Sequence, residues 1–268
     1  MPYLPQETID SIIDLLRGDS GALRQCCLTS KSWVSLTRKH LFNCVFFSDP
    51  GDFRVWKETF PDPASSPAGY TSDLSFCRAK FIDEDVNWIR RFTNVERLEV
   101  RIVWHDHDSE FNPNGPLSPF LEFPSDNVKS LVVGWNSLPL QEVFNFICSF
   151  PHLEDLHIAG GTCINNKVYQ PSLLPVFTGT FELMTFGGGP VAHQLSEMGN
   201  RCRFRKIVQR RDLHPTHNID GLAVLVERCS DTLEYLYTNG CCTSARWCPF
   251  ISTIDLTSDC VSIRSLSN

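Results

Sequence analysis

Four clusters of side chains have the types and spacing from which chemistry is built. His105-Asp106-His107-Asp108 alternates imidazole and carboxylate, which puts both histidines on one side if the run is extended. It sits in a polar stretch without the further ligands a metal centre needs, so it reads as a solvated loop. Cys241-Cys242, Cys248 and Cys260 do not follow zinc-site spacings and read as separate thiols. His214-x-x-His217 straddles Pro215, which keeps the two rings off a common helix face. Gly187-Gly188-Gly189-Pro190 has the glycines to wrap a phosphate but lacks the Lys-Ser/Thr of a P-loop, and it reads as a turn. There is no Gly-x-Ser-x-Gly elbow. The residues therefore point to no catalytic set, no metal and no cofactor, and the expectation is a protein that is not an enzyme.

Composition narrows the remaining classes. The 268 residues are 42% hydrophobic and 21% charged, as in a globular chain with a real core. Net charge is -7 and the isoelectric point about 5.6. The basic clusters Arg90-Arg91 and Arg201 to Arg211 are short and read as surface, so no nucleic-acid partner is expected. No apolar run approaches the roughly 18 residues that cross a bilayer, and no membrane partner is expected. The opening Met1-Pro2-Tyr3-Leu4-Pro5-Gln6-Glu7 carries an acidic residue where a secretory signal carries positive charge. The 12 cysteines then read as free thiols in a reducing compartment, cytoplasmic or nuclear.

The first forty residues have the pattern of three short helices. Pro5 suits a first helical turn, and Ile9, Ile12, Ile13 and Leu16 form one apolar stripe that Gly18 ends. Leu23, Cys26 and Cys27 begin a second stripe. Thr29 or Ser30 caps a third helix carrying Trp33, Leu36 and Leu41. Three such helices hold little core, so the module should lean on something else. Leu4-Pro5-Gln6-Glu7, Ile12-Ile13, Leu28, Ser30, Trp33 and Leu41-Phe42 together resemble the F-box. That family opens on Leu-Pro-x-Glu, has a hydrophobic pair on its first helix and places a Trp about thirty residues on; here Trp33 lies 29 residues after Leu4. Thr8 stands where the family usually has Leu, and Gly21-Ala22 where a more apolar pair is common. The resemblance implies docking to a Skp1-type adaptor, and through it a cullin complex, by Leu4, Pro5, Glu7, Ile9, Ile12, Ile13, Leu28, Ser30 and Trp33.

Beyond residue 70 a six-residue pattern recurs: apolar-x-x-apolar-x-apolar. It begins at Val95, Val128, Leu153 and Phe181, and in weaker form at Phe204, Leu233 and Ile251, giving gaps of 33, 25, 28, 23, 29 and 18. Most lie in or near the roughly 20 to 29 residues of leucine-rich repeats. Phe42-x-x-Val45-x-Phe47 and Thr71-x-x-Leu74-x-Phe76 are earlier copies. Ile263-x-x-Leu266 looks like half of a further one, as if the array ended in mid-repeat. The last two apolar positions share one face of a short strand, and helical stripes such as Leu140, Val143, Phe144, Ile147 and Cys148 return the chain. Asp83 or Asp85 is a candidate cap for a helix with Val86 and Ile89, and Leu222, Leu225, Val226 and Cys229 form another stripe. Stacked repeats bury a common core. With the N-terminal module, the chain resembles F-box proteins with leucine-rich repeats, a type common in fungi.

The expected fold class is α/β: a three-helix F-box over residues 1–47, an irregular linker over 48–70, and an irregular leucine-rich-repeat domain over 71–268. In it a parallel sheet lines the concave face and helices lie outside. Residues interleaved with the apolar positions should face a partner protein: Arg97, Glu99, Arg101, Val132, Asp155, His157, Thr185, Tyr235, Tyr237 and Asp255, with the two tyrosines as anchors. The function that follows is substrate recognition for an SCF-type ubiquitin ligase. The alternative is a leucine-rich-repeat scaffold with no role in ubiquitin transfer.

Overall fold

Side-chain caps open the second and third helices. Asp19 accepts from the Ala22 N–H at 2.9 Å and opens α2 (Ser20–Thr29); Ser30 accepts from the Ser32 N–H at 3.3 Å and opens α3 (Lys31–Leu41). Ahead of them α1 (Gln6–Leu15) starts at Pro5, whose φ of -56° already suits the turn. His40 on α3 holds Asp14 on α1 at 2.8 Å. These helices bury few residues, Ile13, Leu23, Cys26 and Thr37 among them, and the three apolar ones lie apart from the main core of the chain. Phe42, just past α3, makes the join: its ring meets Trp56 and Phe60 edge-on at 5.8 and 6.0 Å. The computed structural model describes residues 5–78, 81, 83–102, 117–164, 175–184, 189–198, 201–210, 220–238 and 261–262.

The rest is a mixed α/β structure on one sheet of nine strands, laid side by side in chain order. The strands are β1 (Cys44–Phe47), β2 (Asp73–Cys77), β3 (Arg97–Arg101), β4 (Ser130–Pro139), β5 (Asp155–Ile164), β6 (Thr180–Leu183), β7 (Lys206–Gln209), β8 (Tyr235–Thr238) and β9 (Val261–Ser262). The first eight run parallel and β9 turns antiparallel. Between them come α4 (Pro50–Thr59), α5 (Val86–Ile89), α6 (Leu140–Cys148), α7 (Gly189–Glu197) and α8 (Asp220–Arg228).

Alternation explains the core. Val45, Leu74, Leu98, Leu131, Leu156, Phe181, Ile207 and Leu236 are successive register partners, so they line up across the sheet on one face. All are buried, in one continuous cluster with Phe53 and Trp56 of α4, Ile89 of α5, Val143, Phe144 and Ile147 of α6, Val191 and Leu195 of α7, and Leu222 and Leu225 of α8. Phenylalanine fills much of it: Phe47 stacks on Phe76 with centroids 5.0 Å apart, and Phe177 on Phe204 at 5.2 Å.

A repeated backbone device fixes where each strand begins. The carbonyls of Asn43, Ser72, Glu96, Lys129, Gly179 and Arg205 each accept from two successive N–H groups entering the next strand, as when Glu96 takes those of Lys129 and Ser130 at 2.9 and 3.1 Å. At β5–β6 the device changes. The Glu154 carbonyl takes only the Gly179 N–H, at 3.1 Å, and the Asp155 carboxylate takes that of Thr180, at 2.5 Å.

Several expectations are corrected here. Residues 48–70 are not an irregular linker. Asp49 caps α4 by accepting from Gly51 and Asp52, Pro50 occupies the first turn, and Asp52 reaches back to the Ser48 N–H at 2.7 Å. Phe53 and Trp56 then go into the core, and Pro63–Ser65 and Pro67–Tyr70 form short 3-10 turns. The sixth repeat is offset by three residues: β6 places Phe181 beside Leu156 and Leu183 beside Ile158, so these two are its inward pair, and Met184 lies past the end of the strand. The pattern misleads because Thr178 stands at the leading position while its neighbour Phe177 is the buried ring. Gly189-Pro190 starts a helix rather than ending in a turn, with Val191, Ala192 and Leu195 on its buried side. Asp85 does not cap α5 with its side chain; it accepts from Lys57 Nζ of α4 at 2.5 Å.

Candidate partner-binding face

Residues that alternate with the core form the opposite face. One row across it is Cys44, Asp73, Arg97, Ser130, Asp155, Thr180, Lys206 and Tyr235; the next is Phe46, Ser75, Glu99, Val132, His157, Glu182, Val208 and Tyr237. The expected Arg97, Glu99, Arg101, Asp155, His157, Tyr235 and Tyr237 all fall on it.

On β2 and β3 the charges satisfy one another. Arg97 pairs with Asp73 at 3.1 Å and stands 4.0 Å from Glu99. Arg101 Nε approaches Glu99 at 2.5 Å as an ion pair without hydrogen-bond alignment. Such half-exposed pairs contribute about 0 to 1 kcal/mol each, so they shape the surface more than they stabilise it. Val132 is buried even on this face, while Phe46 on the first strand is 59% exposed.

On β5 to β8 the face dips into a hollow of about 460 Å³ lined by His157, Thr180, Glu182, Lys206, Val208, Arg210, Tyr235 and Tyr237. Glu182 is its centre. One carboxylate oxygen meets His157 Nδ1 at 2.6 Å and the other accepts from Arg210 Nε. Burial pushes this carboxyl's pKa up, but the hydrogen bonds from Arg210 and His157 outweigh it and hold Glu182 below the usual carboxylate range. The same contact raises the Arg210 pKa further. Lys206 Nζ lies 5.0 Å from the centroid of the Tyr235 ring, a cation–π contact.

The structure reassigns some residues that the sequence marks for contact. Asp155 is spent on the Thr180 N–H. Thr180 and Glu182 were missed because the sixth repeat was set three residues late, which named Thr185 instead; Lys206 and Arg210 flank the inward positions of β7, which the pattern places correctly, and were passed over. The alternation Phe181, Glu182, Leu183 was the available signal. Thr185 and Asp255 lie outside the described residues, as do Leu4, Phe186, the 105–108 run, His214, His217, Gly187, Gly188, Cys241, Cys242, Cys248, Cys260 and the repeat copies begun at Ile251 and Ile263.

In the helical module Pro5 and Glu7 are exposed, Ile9 and Trp33 partly buried, and Ser30 serves as the α3 cap. Ile13 is fully buried and therefore core, not contact surface. Ile12 is 38% exposed, Leu28 80% and Leu15, absent from the expected set, 86%.

Desolvation disfavours the thiolate at three cysteines. Burial raises the pKa of Cys148 to about 12, of Cys202 to about 12 with Cys229 adding to it, and of Cys229 to about 11. Among the described residues no group of three or more His, Cys, Asp or Glu is placed to hold a metal ion, and no helix is long and apolar enough to cross a membrane. No family model, curated protein or solved structure matches the chain.

Proposed function

We propose that the chain is an adaptor for an SCF-type ubiquitin ligase: an F-box formed by the first three helices docks a Skp1-type subunit and its cullin complex, and a leucine-rich-repeat sheet presents a target protein. The adaptor itself makes and breaks no bond; it holds the target near a ubiquitin-loaded enzyme, so its contribution is proximity. The observation that carries the reading is the exposed apolar surface of the helical module. Leu15 and Leu28 stand almost fully in water on helices whose own buried residues are few and separate from the main core. Large side chains so placed favour a covering partner. The sequential parallel strands and their polar, tyrosine-bearing face support the second half of the reading.

Co-purification with a Skp1-type subunit tests it. The wild-type chain should form a stable complex. Leu28→Asp, which touches no core, should weaken it at least tenfold while circular dichroism stays unchanged, and Trp33→Ala should weaken it as well. A folded wild-type chain that captures no Skp1-type subunit overturns the adaptor reading and makes the helices a structural cap.

A further inference from the structure

The hollow over β5 to β8 has an uneven charge balance. Two permanent cations, Lys206 and Arg210, face one carboxylate, Glu182, and that carboxylate is already engaged by Arg210 and His157. Lys206 has no carboxylate partner among the described residues; its ammonium rests against Tyr235. Lys206 is thus a cation of the lining that stands against a tyrosine ring, with a second tyrosine, Tyr237, in the same hollow. We propose that this hollow takes an extended acidic segment of the target protein, with one Asp or Glu carboxylate on Lys206 and the flanking residues against Tyr235 and Tyr237. The inference rests on the sheet face being the target-binding face.

The chemistry selects the occupant. One carboxylate neutralises the site's surplus charge. A phosphorylated side chain, carrying about -1.5 to -2, would bring its second charge against the ionised Glu182 on the same floor. Tyrosine provides broad amphipathic contact at little entropic cost, which suits the apolar neighbours of an acidic residue in an extended segment. Arg210, fixed on Glu182, closes one end and sets no demand for a second acid.

The test uses the full chain, immobilised, and three randomised nonapeptide pools fixed at the centre as Glu, Gln or phosphoserine, with retention read by mass spectrometry at low salt. The Glu pool should be retained about fivefold over the Gln pool, the scale of a half-exposed ion pair. The preference should vanish in Lys206→Met, persist in Lys206→Arg and weaken with Tyr237→Ala. Equal retention of the Glu and Gln pools overturns the proposal. So does a phosphoserine pool that outcompetes Glu, or a preference that survives Lys206→Met. Capture of the Skp1-type subunit reads only the N-terminal helices, so either reading can fail while the other stands.

Discussion

Asp155→Ala should destabilise the protein by about 2 kcal/mol, although the sequence places this residue on a binding face. At the other described junctions built this way, a main-chain carbonyl accepts two N–H groups from the next strand; at β5–β6 the Asp155 carboxylate supplies the second acceptor, 2.5 Å from the Thr180 nitrogen. A hydrogen bond to a charged group contributes roughly 1.5 to 3 kcal/mol, and the partial exposure of Asp155 puts it near the lower end. Alanine leaves the N–H without a partner. Asparagine keeps a neutral acceptor in place and should cost about half as much. With a urea slope of about 2 kcal/mol/M, the Ala variant should unfold about 1 M earlier, followed by tryptophan fluorescence. Gly179 supplies an internal check: a Cβ there would stand 2.3 Å from Asp155 Oδ1, so Gly179→Ala should cost less in the Asp155→Ala background than in wild type. An Asp155→Ala midpoint within about 0.2 M of wild type would refute the reasoning, as would an Asn variant as unstable as the Ala variant.

Three further outcomes are expected. Gly221→Ala should destabilise by about 1 to 2 kcal/mol in thermal unfolding: a Cβ would meet the His193 backbone at 2.7 Å, and the strain of forcing α7 from α8 exceeds the helix-propensity gain of at most about 1 kcal/mol. Glu182→Gln should lose stability at neutral pH and converge on wild type in acid. The folded pKa of Glu182 lies below its ordinary 4.5, so its contribution is complete above that value and is lost as pH falls through the folded one; unfolding midpoints between pH 7 and pH 2 read the convergence. Cys202 and Cys229, with pKa values near 12 and 11, should resist maleimide at pH 7.5 in the native chain and label only as it unfolds, as peptide mapping would show.

What the sequence revealed depended on which force set each element. Strands β3, β4 and β5 could be placed because two apolar residues alternating over three positions is a direct imprint of burial on one face; β7 and β8 keep the first of the pair, Ile207 and Leu236, with Gln209 and Thr238 in the second place. α6 and α8 were legible for the same reason at helical spacing. β6 was set three residues late because Thr178 interrupts the pattern and Phe177 fills the core from the neighbouring position. α4 was hidden by Pro50, Pro61, Pro63 and Pro67, which suggest an irregular chain; yet Pro50 sits where proline favours a helix, and Asp49 and Asp52 were there to cap it. The site followed its strands. Tyr235, Tyr237 and His157 were identified with their repeats; Glu182 was lost with the misplaced β6, and Lys206 and Arg210, beside a correctly placed β7, carried nothing in the sequence that sets them apart from other surface cations. The structural use of Asp155 had no sequence signal, because an acid capping a main-chain N–H and an acid awaiting a partner have the same pattern of neighbours.

The order of the sheet has a mechanical consequence. Each strand from β1 to β8 is bonded only to the strands that precede and follow it in the chain. Tension applied between the ends therefore has no strand to pull from the middle of the stack. It loads the outermost strand, whose few hydrogen bonds break in succession before the next strand bears force. The molecule should yield in a train of small steps at low force, each releasing one strand with its returning segment, and it should shorten again by the same steps when the load is removed. Under the proposed function, held by its helices at one end and by a target on the sheet, it would behave as a compliant tether that lengthens under load.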